Sequence, residues 1–167
     1  MATTQIERPV RPSVLDRLID DDPQSKHVEP GLTRSQSVRM FKASLRRDLE
    51  WLLNARRIIT PVPDECKELA RSVFTFGLPD ITSMSKDSRE SFERLARLIQ
   101  SAIDVFEPRL TDVVVELKDG QSTLLRDAHF VIDGILRLDP MPERVTFDTR
   151  QDERGSMKVQ EEGAGGG

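Results

Sequence analysis

Apolar residues recur at three- and four-residue steps in two long stretches of the chain, the pattern of an amphipathic helix. One stretch predicts a helix from about Ser35 to Arg56, and the other predicts a helix from Ser88 to Phe106. Shorter helices are predicted over Ser13 to Asp20 and over Asp64 to Phe74. The core-facing stripe of the first long helix comprises Val38, Phe41, Leu45, Leu49, Leu52 and Leu53. Four helices are therefore expected in the first two thirds of the chain.

Beyond residue 110 the period of the apolar pattern changes to two, which is typical of strands. Strands are predicted over 113–118, over 124–138 and around 145–147. Asp119-Gly120 is a hairpin signal, and Gly134 marks a place for a β-bulge. Helices that precede a small meander predict an α+β fold, with about four helices packed on one face of a three-stranded antiparallel sheet.

The length and composition favour one domain with polar ends. The chain has 167 residues, and residues 13–150 carry the periodic patterns. Residues 1–12 and 151–167 are polar, charged or rich in glycine and proline, so disordered tails are expected at both ends. A net charge of −4 argues against a nucleic-acid binder. No apolar run is long enough to insert into a membrane, and the single cysteine, Cys66, fits a reduced cytoplasmic protein.

Trp51 is the one large aromatic residue that lies off the stripe of its helix. At about 100° per residue it falls on the opposite face, beside Met40 and Arg47. Two interpretations stay open: the chain's own N-terminal segment packs over Trp51, or Trp51 and Arg47 contact a partner protein, since both residue types are enriched at interface hot spots.

The tripeptide Glu107-Pro108-Arg109 lies where the helical pattern stops and the strand pattern starts. Proline disfavours the α conformation in the residue before it, so the helix should end near Phe106. Two opposite charges are thereby fixed at a rigid corner. Taken alone, the tripeptide is most simply a helix stop with two solvated charges.

Catalytic and cofactor signatures do not stand out in the sequence. It has no glycine-rich phosphate loop, HExxH or paired CxxC, and its two histidines, His27 and His129, are most simply surface residues. We therefore expect no cofactor and no metal. A glycosidase needs two carboxylates across a cleft. Glu107 with Asp112 or Asp133 would be the candidate pair for that minor alternative.

Several short segments together resemble one family. They are Ser13–Leu18, Leu45–Arg57, Phe76–Asp80, Phe106–Leu110, Ile132–Gly134 and Phe147–Thr149. In this order and spacing they are similar to TssE, the baseplate subunit of type VI secretion systems, which is related to a contractile-phage wedge protein once labelled lysozyme-like. The resemblance spans about residues 13 to 150.

The resemblance implies a structural, non-enzymatic role. TssE-like proteins join a wedge with the TssF, TssG and TssK subunits and start polymerisation of the TssB–TssC sheath by strand pairing. The family's Glu-Pro-Arg motif matches Glu107, Pro108 and Arg109, and in relatives it docks on the wedge. The expected location is the cytoplasm, in a baseplate at the inner-membrane complex of a Gram-negative bacterium. A peptidoglycan hydrolase and a small regulatory protein-binding domain are the alternatives.

Overall fold

A computed structural model describes residues 8–19, 31–80, 89–118, 129–151 and 156–162. Within these ranges, α-helices come first and a four-stranded antiparallel sheet follows, so the predicted α+β class is confirmed. The Asp119-Gly120 hairpin and the start of the second strand lie outside the described residues, as do His27 and two predicted helix ends, Asp20 and Ser88.

In the described part of the chain, three α-helices form where the apolar periodicity predicts them. Helix α1 spans Val14–Leu18, α2 spans Arg34–Asn54 and α3 spans Arg89–Phe106. Helix α2 begins with a capping box, in which Thr33 Oγ1 accepts from the backbone N–H of Gln36 and the Gln36 side chain accepts from the N–H of Thr33. This reciprocal cap fixes the start of the helix that carries most of the candidate site.

The predicted helix over Asp64 to Phe74 is wrong. The structure has two single-turn 3-10 helices there, Leu69–Arg71 and Val73–Thr75. Ser72 separates them because its backbone is extended, with φ −102° and ψ 176°, and its hydroxyl accepts from the N–H of Phe74. A serine hydroxyl that accepts from a nearby backbone N–H competes with the hydrogen bonds of a helix. At Ser72 this local hydrogen bond interrupts what would otherwise be one continuous helix.

Within the described residues the sheet has four strands rather than the predicted three. Strand β1 spans Leu110–Leu117, β2 spans Phe130–Leu136, β3 spans Glu143–Gln151 and β4 spans Met157–Glu161, and they are adjacent in that order. Each neighbouring pair is antiparallel. The described residues therefore place β1 and β4 at the two edges of the sheet.

Both segments expected to be disordered tails contain ordered residues. Strand β4 lies in the segment 151–167, where Met157 and Val159 are buried against the core. In the segment 1–12, Val10 packs against the core and its N–H donates to Ser37 Oγ at 2.9 Å. Apolar side chains at these positions supply the burial that a disordered tail lacks.

One core joins the helices to a single face of the sheet. Alternate residues of β2 are buried, as the predicted parity requires. The fully buried large side chains include Leu45, Leu49, Leu53, Leu78, Ile99, Ile103, Phe130, Ile132, Leu136, Phe147 and Val159. Helix α3 packs on β1, and α2 packs beside β4.

A β-bulge lies near the start of β1, on the strand opposite the predicted glycine. The register shifts between Thr111 and Val114, so that two β1 residues face Gly134 on β2. One of the two, Asp112, has φ of +52°. The bulge therefore occurs at the predicted pair of strands, and the extra residue belongs to β1.

Candidate functional site

At the corner between α3 and β1, residues 107–109, the predicted helix end is confirmed, but Glu107 is buried rather than solvated. The N–H of Glu107 makes a helical hydrogen bond to Ile103 O at 2.8 Å, and α3 ends at Phe106. The N–H of Leu110 then donates to Glu107 O at 3.1 Å, which closes a turn around the exposed Pro108. Strand β1 starts at once, so the position of the corner determines where this edge strand begins.

Glu107 and Arg109 bind each other inside the protein. Glu107 is only 5% exposed. Arg109 Nε donates to Glu107 Oε1 at 2.5 Å, and Arg109 Nη2 donates to Glu107 Oε2 at 2.6 Å. This fork-shaped pairing is the strongest geometry available to an arginine and a carboxylate. The two charges of the motif are therefore partners of each other.

Helix α2 holds the other side of the Arg109 guanidinium. Nη2 donates to Asp48 Oδ2 at 2.6 Å, Nη1 donates to Ser44 Oγ at 3.0 Å, and the guanidinium carbon lies 5.6 Å from the centre of the Phe41 ring. Burial disfavours the charged form of Arg109, but the hydrogen bonds and charges of Glu107 and Asp48 outweigh it and raise the pKa of the guanidinium. Arg109 thus links α2 to the corner.

A second arginine extends these contacts to the N-terminal helix. Arg47 Nη2 donates to Asp48 Oδ1 at 2.9 Å and to Asp16 Oδ1 at 2.7 Å. Asp16 also accepts from Ser13 Oγ at 2.6 Å and from Ser44 Oγ at 2.8 Å. Burial raises the pKa of Asp16, but the hydrogen bonds from Ser13, Arg47 and Ser44 lower it, to about 2.

These contacts form one continuous line of alternating charges, which we call the charge network: Glu107, Arg109, Asp48, Arg47 and Asp16. It connects α1, α2 and the corner. Every charge has an opposite neighbour, which is the condition under which partly buried charges are tolerated. The arrangement is suited to holding three elements in a fixed relation.

Trp51 lies at the outer side of this network. Its side chain is 53% exposed, and the Arg47 guanidinium carbon lies 5.0 Å from the ring centre. Helix α1 reaches α2 at Ser44 and Arg47, one turn before Trp51. Among the described residues, the N-terminal segment therefore leaves the ring accessible.

The structure brings four of the five predicted site residues into one region. Glu107 pairs with Arg109, and Asp48 bridges Arg109 to Arg47. Arg47 in turn lies over the ring of Trp51. Pro108 is adjacent in sequence and exposed. Their contact with a partner stays a prediction. Sequence reasoning did not identify Asp16, Ser44 and Asp48 as members of the site. Asp16 and Asp48 lie in the segments that carry the family resemblance, and that was the available signal.

Two of the three carboxylates considered for hydrolysis, Glu107 and Asp133, have other partners. Both oxygens of Glu107 accept from Arg109, so a substrate would have to displace a partly buried guanidinium. Asp133 Oδ1 accepts from Thr146 Oγ1 at 2.6 Å. Within the described ranges, no group of His, Cys, Asp and Glu side chains has the arrangement of a metal site. His129 lies before β2, and His27 is outside the described residues.

The unpaired edge of β1 is the second candidate site. Lys118 N–H donates to His129 O at 2.9 Å, and the register then pairs Glu116 with Val131 and Val114 with Asp133. Since successive residues of an antiparallel strand alternate in direction, the backbone groups of Val115 and Leu117 point away from β2. No other strand of the described structure lies on that side.

Comparison with known proteins gives one family. Residues 39–141 match the family model described as baseplate wedge protein gp25. This range covers more than half of the chain and includes most of α2 together with α3, the corner, β1 and β2. No curated protein matches the chain. In the part of the chain that the structure describes, no helix combines the length and the apolar character needed to cross a bilayer.

Proposed function

Since this chain belongs to the family of baseplate wedge protein gp25, we propose that it is a non-enzymatic, structural subunit of a type VI secretion baseplate. In this proposal it contacts the wedge subunits TssF, TssG and TssK and starts assembly of the TssB–TssC sheath. It works in the cytoplasm, where the baseplate docks on the inner-membrane complex.

The observation that carries the sheath role is the edge of β1. This strand has eight residues, and its outer side has no strand partner in the described structure. A free strand edge offers a row of N–H and C=O groups to which another chain can add a strand. Strand addition requires no catalytic group, which agrees with the internal pairing of Glu107.

The corner supports this role by fixing the start of β1. Glu107 and Arg109 precede the strand directly, and Arg109 ties them to Asp48 on α2. The backbone O of Arg109 also accepts from the N–H of Arg137, just past the end of β2. A strand held at its first residue is pre-organised. An incoming strand therefore binds an edge that loses little further conformational entropy on binding.

The wedge contact is proposed for the exposed end of the charge network. Trp51 and Arg47 lie together on the surface of α2, and Pro108 is exposed at the corner. Glu107 and Arg109 then act mainly by holding this surface, because only 19% of the Arg109 side-chain surface is accessible to a partner. A tryptophan beside an arginine is typical of the few residues that dominate binding energy.

The wedge contact is tested by Trp51→Ala. Because the ring is exposed, the substitution should leave the midpoint of thermal unfolding nearly unchanged. Loss of an aromatic anchor should weaken binding to the purified TssF–TssG complex by about thirtyfold, equivalent to about 2 kcal/mol. The measurement is the dissociation constant from surface plasmon resonance.

Val73→Ala is the matched control, because Val73 is an apolar residue that is 90% exposed and distant from the charge network in sequence. It should bind as the unmodified protein does. Equal affinities for Trp51→Ala and the unmodified protein would contradict the proposed wedge surface. Binding of both to an unrelated regulator, with none to the wedge, would favour the regulatory alternative.

A further inference from the structure

The outer edge of β4 is occupied by side chains of α2. Asn54 Nδ2 donates to Met157 O at 2.8 Å, and Met157 N–H donates to Asn54 Oδ1 at 2.8 Å. A primary amide presents the same donor and acceptor as a peptide group. Asn54 therefore makes both of the hydrogen bonds that an added strand would make to Met157.

The next outward-facing residue of β4 is also covered. Val159 O accepts from Arg46 Nη1 at 3.4 Å, and Val159 N–H donates to Glu50 Oε2 at 3.5 Å. These contacts are longer than those of Asn54. Glu50 is held in place by Lys158 Nζ at 2.8 Å.

A lysine completes the row at the end of β4. Lys42 Nζ lies 2.9 Å from Glu161 Oε1 and 2.8 Å from Glu143 Oε1, so it joins α2 to both β4 and β3. Burial of Lys42 disfavours its charged form, but the hydrogen bonds from Nζ to Glu143 and Glu161 raise its pKa. The ammonium group is therefore charged at neutral pH.

The row is regular because two periods match. Its four residues, Lys42, Arg46, Glu50 and Asn54, are spaced four apart, which is about 6 Å per step along a helix. Outward-facing residues of a strand recur about every 6.6 Å. A helix that lies along β4 can thus place its polar side chains opposite the outward-facing residues: Asn54 opposite Met157, Arg46 and Glu50 opposite Val159, and Lys42 opposite Glu161. We call these four residues the edge row.

We propose that the edge row closes β4 to strand addition, so that an incoming strand pairs with β1 alone. The cap itself is a property of this chain, and only the choice of β1 by the incoming strand rests on the proposed function. Natural sheets protect their edges because an open edge can pair with an unintended strand, including that of a second copy. Burial of Met157 and Val159 already attaches β4 to the core, so the edge row has a separate effect on the backbone groups.

Asn54→Ala tests the cap in the isolated chain. The backbone N–H and C=O groups of Met157 and Val159 point towards α2. Because these groups alternate in direction along an antiparallel strand, those of Lys158 and Gln160 point towards β3. We expect amide hydrogen exchange measured by NMR to accelerate at least tenfold at Met157 and to change little at Lys158 and Gln160. Sedimentation velocity should show self-association that grows with protein concentration. The control is Arg39→Ala on the same helix, which has no hydrogen bond or ion pair to β4 among the described residues.

Three results would overturn the proposal. In the first, exchange at Met157 is unchanged in Asn54→Ala. In the second, Met157, Lys158 and Gln160 lose protection together, which would make Asn54 an attachment for β4. In the third, Met157 is exposed and the variant stays monomeric. None of these readouts involves the baseplate. Failure to bind TssF–TssG would therefore contradict the proposed function without contradicting the proposal that the edge row caps β4.

Discussion

At the scale of single residues, Arg109 is the point on which the candidate site depends. It satisfies both oxygens of the buried Glu107 and one oxygen of Asp48. Removing one member of a buried ion pair leaves the other charged and desolvated, which costs more than the pair itself contributes. The guanidinium therefore acts first as an internal brace.

Arg109→Ala should lower the free energy of unfolding by about 3–5 kcal/mol, because Glu107 loses its partner in a buried place. Arg109→Lys keeps the charge and loses the fork, so it should have an intermediate effect. Urea unfolding followed by circular dichroism gives both values. Arg97→Ala, an exposed arginine on α3, is the control and should change the value by less than about 0.5 kcal/mol. If Arg109→Ala matches this control, the brace is not real.

Asp16 makes the free energy of unfolding depend on pH in the acid range. Its pKa falls from the ordinary value of 3.8 to about 2 in the folded chain, so the unfolded state binds the proton more tightly. The carboxylate therefore contributes stability above about pH 4, and this contribution is lost as the pH falls through about 2. The difference in unfolding free energy between the unmodified protein and Asp16→Asn should shrink between pH 5 and pH 2. A constant difference over that range would contradict the contacts assigned to Asp16.

The sequence was sufficient to predict the corner and insufficient to predict its partners. Proline after Glu107 limits the backbone locally, so the helix end could be inferred from neighbours alone. The pairing with Asp48 and, through Arg47, with Asp16 depends on how α1, α2 and the corner pack. Residues separated by 61 positions in the chain, as Asp48 and Arg109 are, leave no local pattern.

At the scale of elements, long periodic segments were predicted well and short ones were not. Helices α2 and α3 have several turns of consistent apolar spacing, whereas the segment of the two 3-10 helices depends on the backbone of Ser72. Strand β4 alternates Met157 and Val159 with polar residues, a signal of only two apolar positions in a charged tail. Its stability comes from α2 and β3, which the local sequence does not reveal.

The connection after α2 depends on a glycine. Gly77 has φ of +102°, and a Cβ there would lie 2.5 Å from Ala55 O. This close approach allows Leu78 N–H to donate to Ala55 O and Arg57 N–H to donate to Leu78 O. The positive φ and the backbone contact together exclude a larger residue.

Gly77→Ala should therefore lower the free energy of unfolding by about 2 kcal/mol or more, from backbone strain and displacement of Ala55. Gly31→Ala is the matched control, because nothing lies within 4 Å of the added Cβ at that exposed position. It should change the value by less than about 0.5 kcal/mol or stabilise slightly. Chemical denaturation measures both, and equal effects would contradict the close approach at Gly77.

At the scale of the whole molecule, the two edges of one sheet have different environments. Polar side chains of α2 cover β4, and the charge network holds the beginning of β1 while leaving its outer side without a strand partner in the described structure. Family membership gives this asymmetry a purpose in our proposal, since a subunit between wedge and sheath needs one edge that accepts a strand and another that does not.

Strand addition at the edge of β1 is tested most directly by comparing Leu117→Pro with Leu117→Ala. Both variants lose the same half-buried side chain, but proline also removes the outward N–H that an added strand would use. Each is first checked for folding and for binding to TssF–TssG. We then measure the initiation of TssB–TssC sheath assembly on baseplates that contain each variant. Our account predicts normal initiation with Leu117→Ala and at least a tenfold loss with Leu117→Pro. Equal initiation by the two folded, wedge-bound variants would contradict strand addition at β1.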